Sequence, residues 1–92
     1  MILSFNTSQS KIDYIEASKL RKEISAQLDT ALRVSNAGKW AGGSYTREII
    51  EIYLMVNDHS HALPVIQSAL KEHWLFPLMK VSHDFEQSIQ KA

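Results

Sequence analysis

Residues 49–57 read Ile-Ile-Glu-Ile-Tyr-Leu-Met-Val-Asn, and this stretch decides the fold. Side chains of a β-strand alternate between two faces, so every second residue shares a face. One face carries Ile50, Ile52, Leu54 and Val56, and the other carries Ile49, Glu51, Tyr53 and Met55. Neither face is polar throughout, which predicts a central strand whose second face is partly covered or used for binding.

The segment before this strand predicts its hairpin partner. Residues 39–46 form that strand, and the turn is expected directly after them. The pair Gly42 and Gly43 inside a strand indicates a bulge or a close approach of neighbouring backbone. With regular alternation from this turn, Trp40 and Tyr53 are expected to share a sheet face.

An amphipathic helix is predicted before the hairpin, over residues 19–34. Its apolar residues recur at spacings of three and four and form one stripe. The stripe contains Leu20, Ile24, Leu28, Ala31 and Leu32. The helix is expected to end at residues 36–38, Asn-Ala-Gly, because Asn and Gly can adopt the left-handed conformation of a C-terminal cap.

A second helix is predicted after the hairpin and runs to about residue 73. Pro64 belongs in the first turn of a helix, where its missing N–H is not needed. The cap is therefore expected near Ser60 or His61. The apolar stripe of this helix contains Ala62, Leu63, Ile66, Ala69 and Leu70.

The outer strands are predicted at the two ends of the chain. Residues 2–6 are rich in strand-forming residues, and residues 78–85 form the last strand. The last strand places Met79, Val81 and Phe85 on one face. Residues 86–92 are polar and predict a tail or a short terminal turn.

Two interpretations of residues 11–17 fit the pattern. They can form a strand containing Ile12 and Tyr14, in a hairpin with the first strand. They can instead open a helix capped at Ser10, with Asp13 in the capping-box position. We prefer the hairpin; the helix would give the order strand, helix, strand, strand, helix, strand, which is ferredoxin-like.

Both interpretations predict one α+β domain over residues 1–92. Its sheet is mostly antiparallel, with four or five strands, and two helices pack on one face. The expected core consists of Leu20, Ile24, Leu28, Leu32, Ile50, Ile52, Leu54, Val56, Leu63, Ile66, Leu70 and Val81.

Composition excludes several classes of protein. Lys and Arg total 10, as do Asp and Glu, and apolar residues make up 45%, which is typical of a globular chain. Nucleic-acid-binding proteins normally show a basic excess, and membrane helices need roughly 18 apolar residues in a row, so neither partner is expected. The absence of cysteine excludes disulfides and thiolate chemistry. The N-terminus does not resemble a signal peptide, so a cytoplasmic location is expected.

No residue pattern predicts catalysis, and no cofactor is expected. His59 and His61 are two apart, so on a helix they point in very different directions, unlike a zinc-binding pair. His83 and Asp84 are neighbours on a predicted strand and face opposite sides. Residues 38–44 lack the Gly-Lys-Ser/Thr ending of a phosphate-binding loop. We therefore assign no catalytic residue and no metal ligand.

The candidate site is a partner-binding surface on the central hairpin. We assign to it Trp40, Tyr45, Arg47, Glu51 and Tyr53. Aromatic and arginine side chains combine large contact area with hydrogen-bonding groups, so a few of them can dominate binding. Tyr53→Ala is expected to weaken binding by about 2 kcal/mol or more and to leave the fold largely intact.

Three segments together resemble a known group of proteins. They read Gly38-x-Trp40-x-Gly42-Gly43, Glu51-Ile52-Tyr53-Leu54-x-Val56-x-Asp58 and Ala62-Leu63-Pro64-x-Ile66-x-x-Ala69-Leu70. The region from Gly38 to Leu70 resembles small, uncharacterised bacterial α+β proteins that include the immunity proteins of toxin–immunity pairs. The resemblance implies a non-enzymatic protein that binds and neutralises one toxin domain. The alternative is a homodimeric, ferredoxin-like domain that binds a small ligand or regulates another protein.

Overall fold

The computed structural model describes residues 1–82. Its helices and strands are β1 (Ile2–Asn6), α1 (Tyr14–Val34), β2 (Gly38–Tyr45), β3 (Ile49–Val56), α2 (His59–Leu70) and β4 (Met79–Ser82). Two short 3-10 helices lie at Ser8–Ser10 and Phe76–Leu78. The predictions for Phe85 and for the tail fall outside the described residues.

The strands form one antiparallel sheet of four, in the order β2-β3-β1-β4. This confirms the predicted α+β class and places β3 inside the sheet. The order of elements along the chain is the ferredoxin-like one. In the β1–β3 register Leu3 lies opposite Ile52 and Ile2 lies opposite Tyr53, so the apolar face of β3 continues onto β1.

The preferred hairpin at residues 11–17 is wrong, because α1 begins at Tyr14. The side chain of Asp13 caps the helix, and its Oδ1 accepts a hydrogen bond of 2.8 Å from the N–H of Glu16. The cap is therefore Asp13, and not Ser10 as the helical alternative proposed. Ala17 is fully buried and extends the apolar stripe of the helix by one turn.

The end of α1 follows the prediction. Asn36 has a φ of 56°, which is left-handed. The N–H of Ala37 donates to the carbonyl of Leu32 at 2.8 Å, and the N–H of Asn36 donates to that of Arg33 at 3.1 Å. These two bonds form a Schellman motif, which satisfies carbonyl groups that the helix leaves free.

The bounds of α2 differ from the prediction at both ends. Asp58 is the cap and accepts a hydrogen bond from the N–H of Ser60 at 2.9 Å, so Pro64 lies inside the helix. Pro64 and Ser60 are exposed, so water can reach the carbonyl that the proline leaves without a helical donor. The helix ends at Leu70, and the ring of His73 then takes part in a turn: its Nδ1 accepts the N–H of Leu75 at 3.1 Å.

One apolar core lies between the helices and the sheet. The expected core residues are buried, except that Val56, Leu63 and Val81 are half-buried. Val56 and Val81 lie at or next to the ends of their strands, where fewer neighbours surround them. Buried residues that the prediction omitted are Met1, Leu3, Phe5, Ile12, Ala17, Ala37, Ala62 and Leu75.

The other face of the sheet, which we name the open face, is not covered by α1 or α2. It carries the second set of β3 side chains, and Ile49 and Met55 are 44% and 60% exposed. Ser4 of β1 lies opposite Glu51 of β3, and Lys80 of β4 lies opposite Ser4. Both residues therefore lie on the same face as Glu51. Within residues 1–82 no helix is long and apolar enough to cross a membrane.

Candidate partner-binding seam

The five predicted site residues lie on two different faces of the sheet. Trp40 and Tyr45 are in register with buried residues of β3, which places them on the side of the helices. Glu51 and Tyr53 lie on the open face. Arg47 lies in the turn between β2 and β3. The expectation that Trp40 and Tyr53 share a face is therefore wrong.

A bulge in β2 causes this separation. Trp40 lies opposite Leu54, whereas Gly42 lies opposite Tyr53, so two steps along β2 match one step along β3. The extra residue is Ala41, and it reverses the alternation that follows from the turn. Without the bulge Trp40 would share a face with Tyr53, and with the bulge it shares a face with Tyr45.

The bulge adds Trp40 to an aromatic and cationic surface where α1 meets β2. We name this surface the seam and define it as Tyr14, Arg21, Trp40, Tyr45 and Arg47. The rings of Tyr14 and Tyr45 meet edge to face, with centroids 6.4 Å apart. The Cζ of Arg21 lies 5.4 Å from the centroid of the Tyr45 ring, and the Cζ of Arg47 lies 5.7 Å from that of Tyr14.

Helical spacing supplies one side of the seam. Residues three or four apart lie on the same face of a helix. The face of α1 next to β2 carries Tyr14, Ser18, Arg21, Ser25 and Asp29. Because Asp13 starts the helix where it does, Tyr14 is in the first turn and reaches Tyr45.

Gly43 makes room for the other side of the seam. A Cβ at this position would lie 2.6 Å from the carbonyl oxygen of Glu51, which is too close for any side chain. It would also lie 3.7 Å from the Cδ of Arg21, so the stem of Arg21 passes over the glycine. The absence of a side chain at Gly43 thus lets Arg21 cross β2 towards Tyr45.

Asp29 of α1 is hydrogen-bonded to the backbone of β2 at the Trp40 end of the seam. Its Oδ1 accepts the backbone N–H of Trp40 at 2.9 Å, and its Oδ2 lies 2.9 Å from the Nε of Arg33. The hydrogen bond from Trp40 lowers the pKa of Asp29 most, partial burial raises it, and Arg33 lowers it further. The net result is a pKa below the ordinary value of 3.8. The carboxylate also satisfies one N–H of an edge strand, which would otherwise be open to pairing.

An open groove of about 320 Å³ lies beside Trp40. Its lining residues are Arg21, Lys22, Ser25, Ala26, Asp29 and Trp40. The Nε of Arg21 and the Oγ of Ser25 are buried and have no hydrogen-bond partner among residues 1–82. Buried polar groups are normally paired, so these two atoms mark a place where an acceptor is missing.

The cations of the seam form no ion pair with the described part of the chain. There the ion pairs are Arg33 with Asp29 and His73 with Glu23. Arg21 and Arg47 contact aromatic rings instead of carboxylates. A second shallow groove beside Tyr14 and Tyr45 is lined by Lys19 and by Lys22, without any carboxylate.

On the open face, Glu51 has partners of its own. The hydroxyl of Tyr53 donates to Oε1 of Glu51 at 3.1 Å, and Ser44 donates to the same oxygen at 3.3 Å. The hydroxyl of Ser4 lies 3.5 Å from Oε2. This carboxylate is therefore satisfied by its neighbours on the sheet.

The histidines do not assemble a metal site in the described residues. No group of three or more His, Cys, Asp or Glu side chains there is arranged to hold a metal ion. The ring of His61 lies 3.5 Å from the carbonyl of Ser35, and the ring of His73 lies 3.3 Å from Glu23. His83 and Asp84 lie outside the described residues.

The sequence prediction missed Tyr14 and Arg21. Tyr14 was assigned to a strand in the preferred interpretation, and Arg21 lies outside the apolar stripe by which the helix was predicted. The signal that could have placed them is Asp13 followed three residues later by Glu16, since a capping residue there starts the helix at Tyr14.

No family model, no curated protein and no solved structure matches the chain. Its function is therefore inferred from its own geometry.

Proposed function

We propose that this chain is a non-enzymatic protein-binding module, and specifically an immunity-type protein that binds and neutralises a cognate toxin. The proposed binding surface is the seam. Trp40, Tyr45 and Arg47 of the predicted site belong to it, together with Tyr14 and Arg21. Glu51 and Tyr53 lie outside the seam, so the sequence prediction that they contribute to binding is the rival to this proposal, and the open-face variant below tests it.

One observation carries the proposal: two guanidinium groups lie over two tyrosine rings at the surface, within cation–π distance, and neither forms an ion pair within residues 1–82. Tyr, Trp and Arg dominate the energetics of protein interfaces. Mutual packing holds the side chains in place before binding, so less conformational entropy is lost when a partner arrives. A catalytic site would need a nucleophile, a base or a metal in reach, and the seam offers none of these groups.

The test uses the product of the adjacent gene as the candidate toxin. It is produced in a bacterial host with and without this chain, and growth and binding affinity are measured. Two double variants separate the two faces. Tyr45→Ala with Arg47→Ala alters the seam, and Glu51→Ala with Tyr53→Ala alters the open face.

We expect this chain to restore growth and to bind the toxin. The seam variant should weaken binding by about 2 kcal/mol or more, which is roughly 30-fold, while the open-face variant binds like the wild type. Thermal unfolding of both variants serves as the check on folding. If only the open-face variant loses binding, the site lies on that face. If the neighbouring protein neither inhibits growth nor binds, the immunity function is contradicted.

A second candidate function is a homodimeric domain that binds a small ligand or regulates another protein. The observation in its favour is the open face, where Ile49 and Met55 are exposed beside Tyr53. An antiparallel sheet with helices on one side can bury its other side against a second copy. Native mass spectrometry distinguishes the two functions. A tight symmetric dimer that Met55→Lys dissociates would favour the homodimer, and a strict monomer would exclude it.

A further inference from the structure

Positive charge is concentrated at the seam of a chain with no net charge. Arg21 and Arg47 lie in the seam, and Lys19 and Lys22 line the grooves beside it. The one carboxylate in those grooves, Asp29, already accepts the N–H of Trp40 and contacts Arg33. Asp13, Glu16 and Glu48 also lie near the seam in the chain, but within residues 1–82 neither Arg21 nor Arg47 forms an ion pair with a carboxylate.

The geometry of the two guanidinium groups narrows the chemistry of the missing partner. A guanidinium stacked on a ring presents its N–H groups at the edge of its plane. Those donors match the two oxygens of a carboxylate or a phosphate. The guanidinium group of Arg21 lies over the ring of Tyr45, and that of Arg47 lies over the ring of Tyr14.

The contacts between arginines and tyrosines also bear on whether the seam binds an acidic protein or a nucleic acid. Proteins that bind single-stranded nucleic acid stack bases on exposed aromatic faces. Here an arginine already occupies a face of each seam tyrosine, and the two rings meet edge to face. At the tyrosine end of the seam an arginine therefore covers one face of each ring, which favours carboxylates over stacked bases there, while the exposed ring of Trp40 has no such contact within residues 1–82.

The groove beside Trp40 adds an independent observation. Among residues 1–82 the buried Nε of Arg21 and the buried Oγ of Ser25 both lack a hydrogen-bond partner, and both belong to residues that line this groove. An unpaired buried donor is unfavourable, so an acceptor oxygen that enters the groove and reaches the Nε of Arg21 is favoured.

We propose that the seam binds an acidic segment of a partner protein, whose Asp and Glu carboxylates pair with Arg21 and Arg47. This inference rests on the proposed protein-binding function and specifies the chemistry of the partner. Binding of the acidic segment requires the planar guanidinium group and not positive charge alone.

The test uses a short synthetic peptide that contains only Asp, Glu and Gly. The peptide is titrated into the isotopically labelled protein, and amide shifts are followed by two-dimensional NMR. A single-stranded oligonucleotide of equal charge is titrated in parallel. The variants are Arg21→Ala, Arg47→Ala and Arg47→Lys. Lys80→Ala removes one positive charge from the open face and is the matched control.

We expect saturable shifts at Tyr14, Arg21 and Tyr45, and an apparent affinity that falls about tenfold in either alanine variant. Arg47→Lys should lose several-fold as well, because lysine lacks the planar fork, and Lys80→Ala should bind like the wild type. Arg47 is an exposed turn residue, so its variants remain informative if Arg21→Ala does not fold.

Three results would overturn the inference. One is the absence of saturable peptide binding up to about 1 mM. Another is tighter binding of the oligonucleotide at the same residues, which would assign the seam to nucleic acid. The third is an equal loss in Lys80→Ala, which would indicate attraction by net charge. If the candidate toxin binds through the seam while the peptide does not, the protein-binding function stands and the acidic chemistry fails.

Discussion

The seam and the open face lie on opposite sides of the same hairpin, and their charged groups differ in whether they have polar partners. On the open face, Glu51 accepts hydrogen bonds from Tyr53 and Ser44 at 3.1 and 3.3 Å. In the seam, Arg21 and Arg47 contact tyrosine rings and find no carboxylate in the described residues. One face satisfies its charged group internally, and the other leaves its charged groups without counterions.

This difference shows why residue type alone is a poor guide to a binding surface. Both faces contain tyrosine and a charged residue, and the sequence prediction assigned residues of both to one binding surface. A carboxylate that already has hydroxyl partners gains less from a new partner than an unpaired guanidinium does, because it must give up existing hydrogen bonds. The faces are therefore distinguished by what their polar atoms already bind.

The largest expected effect comes from the apolar core on which α1, the helix that carries Tyr14 and Arg21, is packed. Ile24 of this helix is fully buried, so Ile24→Ala should lower the free energy of unfolding by about 2–5 kcal/mol. Urea denaturation measures this loss. Ile15→Ala on the same helix is the control: Ile15 is 68% exposed, and its change should stay within about 0.5 kcal/mol. An unchanged urea midpoint for Ile24→Ala would remove this residue from the core.

A smaller effect should follow when the first turn of α1 is loosened. Asp13→Ala removes the helix cap and should cost about 0.5–2 kcal/mol. It should also weaken the contact between Tyr14 and Tyr45, which ring-to-ring NMR cross-peaks report. Asp58→Ala removes the cap of α2 and is the matched control, since it should cost a similar amount and leave the tyrosine contact unchanged. Equal loss of the cross-peaks in both variants would refute the role assigned to Asp13.

The next prediction concerns Glu51 on the open face, a charged group that already has hydrogen-bond partners. Glu51→Ala removes the acceptor that Tyr53 and Ser44 share, and it should cost about 0.5–1.5 kcal/mol in urea unfolding. Peptide binding at the seam should not change. Ser82→Ala, an exposed substitution on the same face, should have almost no effect on stability. A loss of seam binding in Glu51→Ala would show that the two faces are coupled.

The smallest expected effect is on the pH dependence of stability. The hydrogen bond from Trp40 holds the pKa of Asp29 below 3.8. At pH values near these pKa values the folded state therefore binds fewer protons than the unfolded state. The stabilising contribution is complete above pH 3.8 and is lost as the pH falls through the pKa of folded Asp29. Asp29→Asn lacks this contribution, so its difference in unfolding midpoint from the wild type should shrink in acid. A difference that stays constant with pH would contradict this assignment.

Much of the fold could be predicted because its signals are local. Alternation over residues 49–57 predicted β3 and its buried face, and the spacing of apolar residues predicted most of α1. The left-handed Asn36 was expected from residue type alone. The start of α1 was missed because the preferred hairpin gave no weight to the cap at Asp13.

The candidate site could be predicted only in part. Residue type selected Trp40, Tyr45 and Arg47, which the structure brings together, but it also selected Glu51 and Tyr53, which lie on the other face. The glycines at 42 and 43 indicated a bulge or a close approach of neighbouring backbone, and β2 has a bulge next to Gly42. Which side chain the bulge would turn over was not predicted, and the face of Trp40 depends on that.

The sequence by itself determined most of the elements, the α+β class and the apolar face of β3, because these depend on the periodicity of neighbouring residues. Only the tertiary structure decided which face Trp40 occupies. The position of Trp40 depends on how many residues of β2 match each residue of β3, and the unpaired Ala41 changes that number by one. The residues of β2 alone do not show which of them is left unpaired, because that depends on the register with β3.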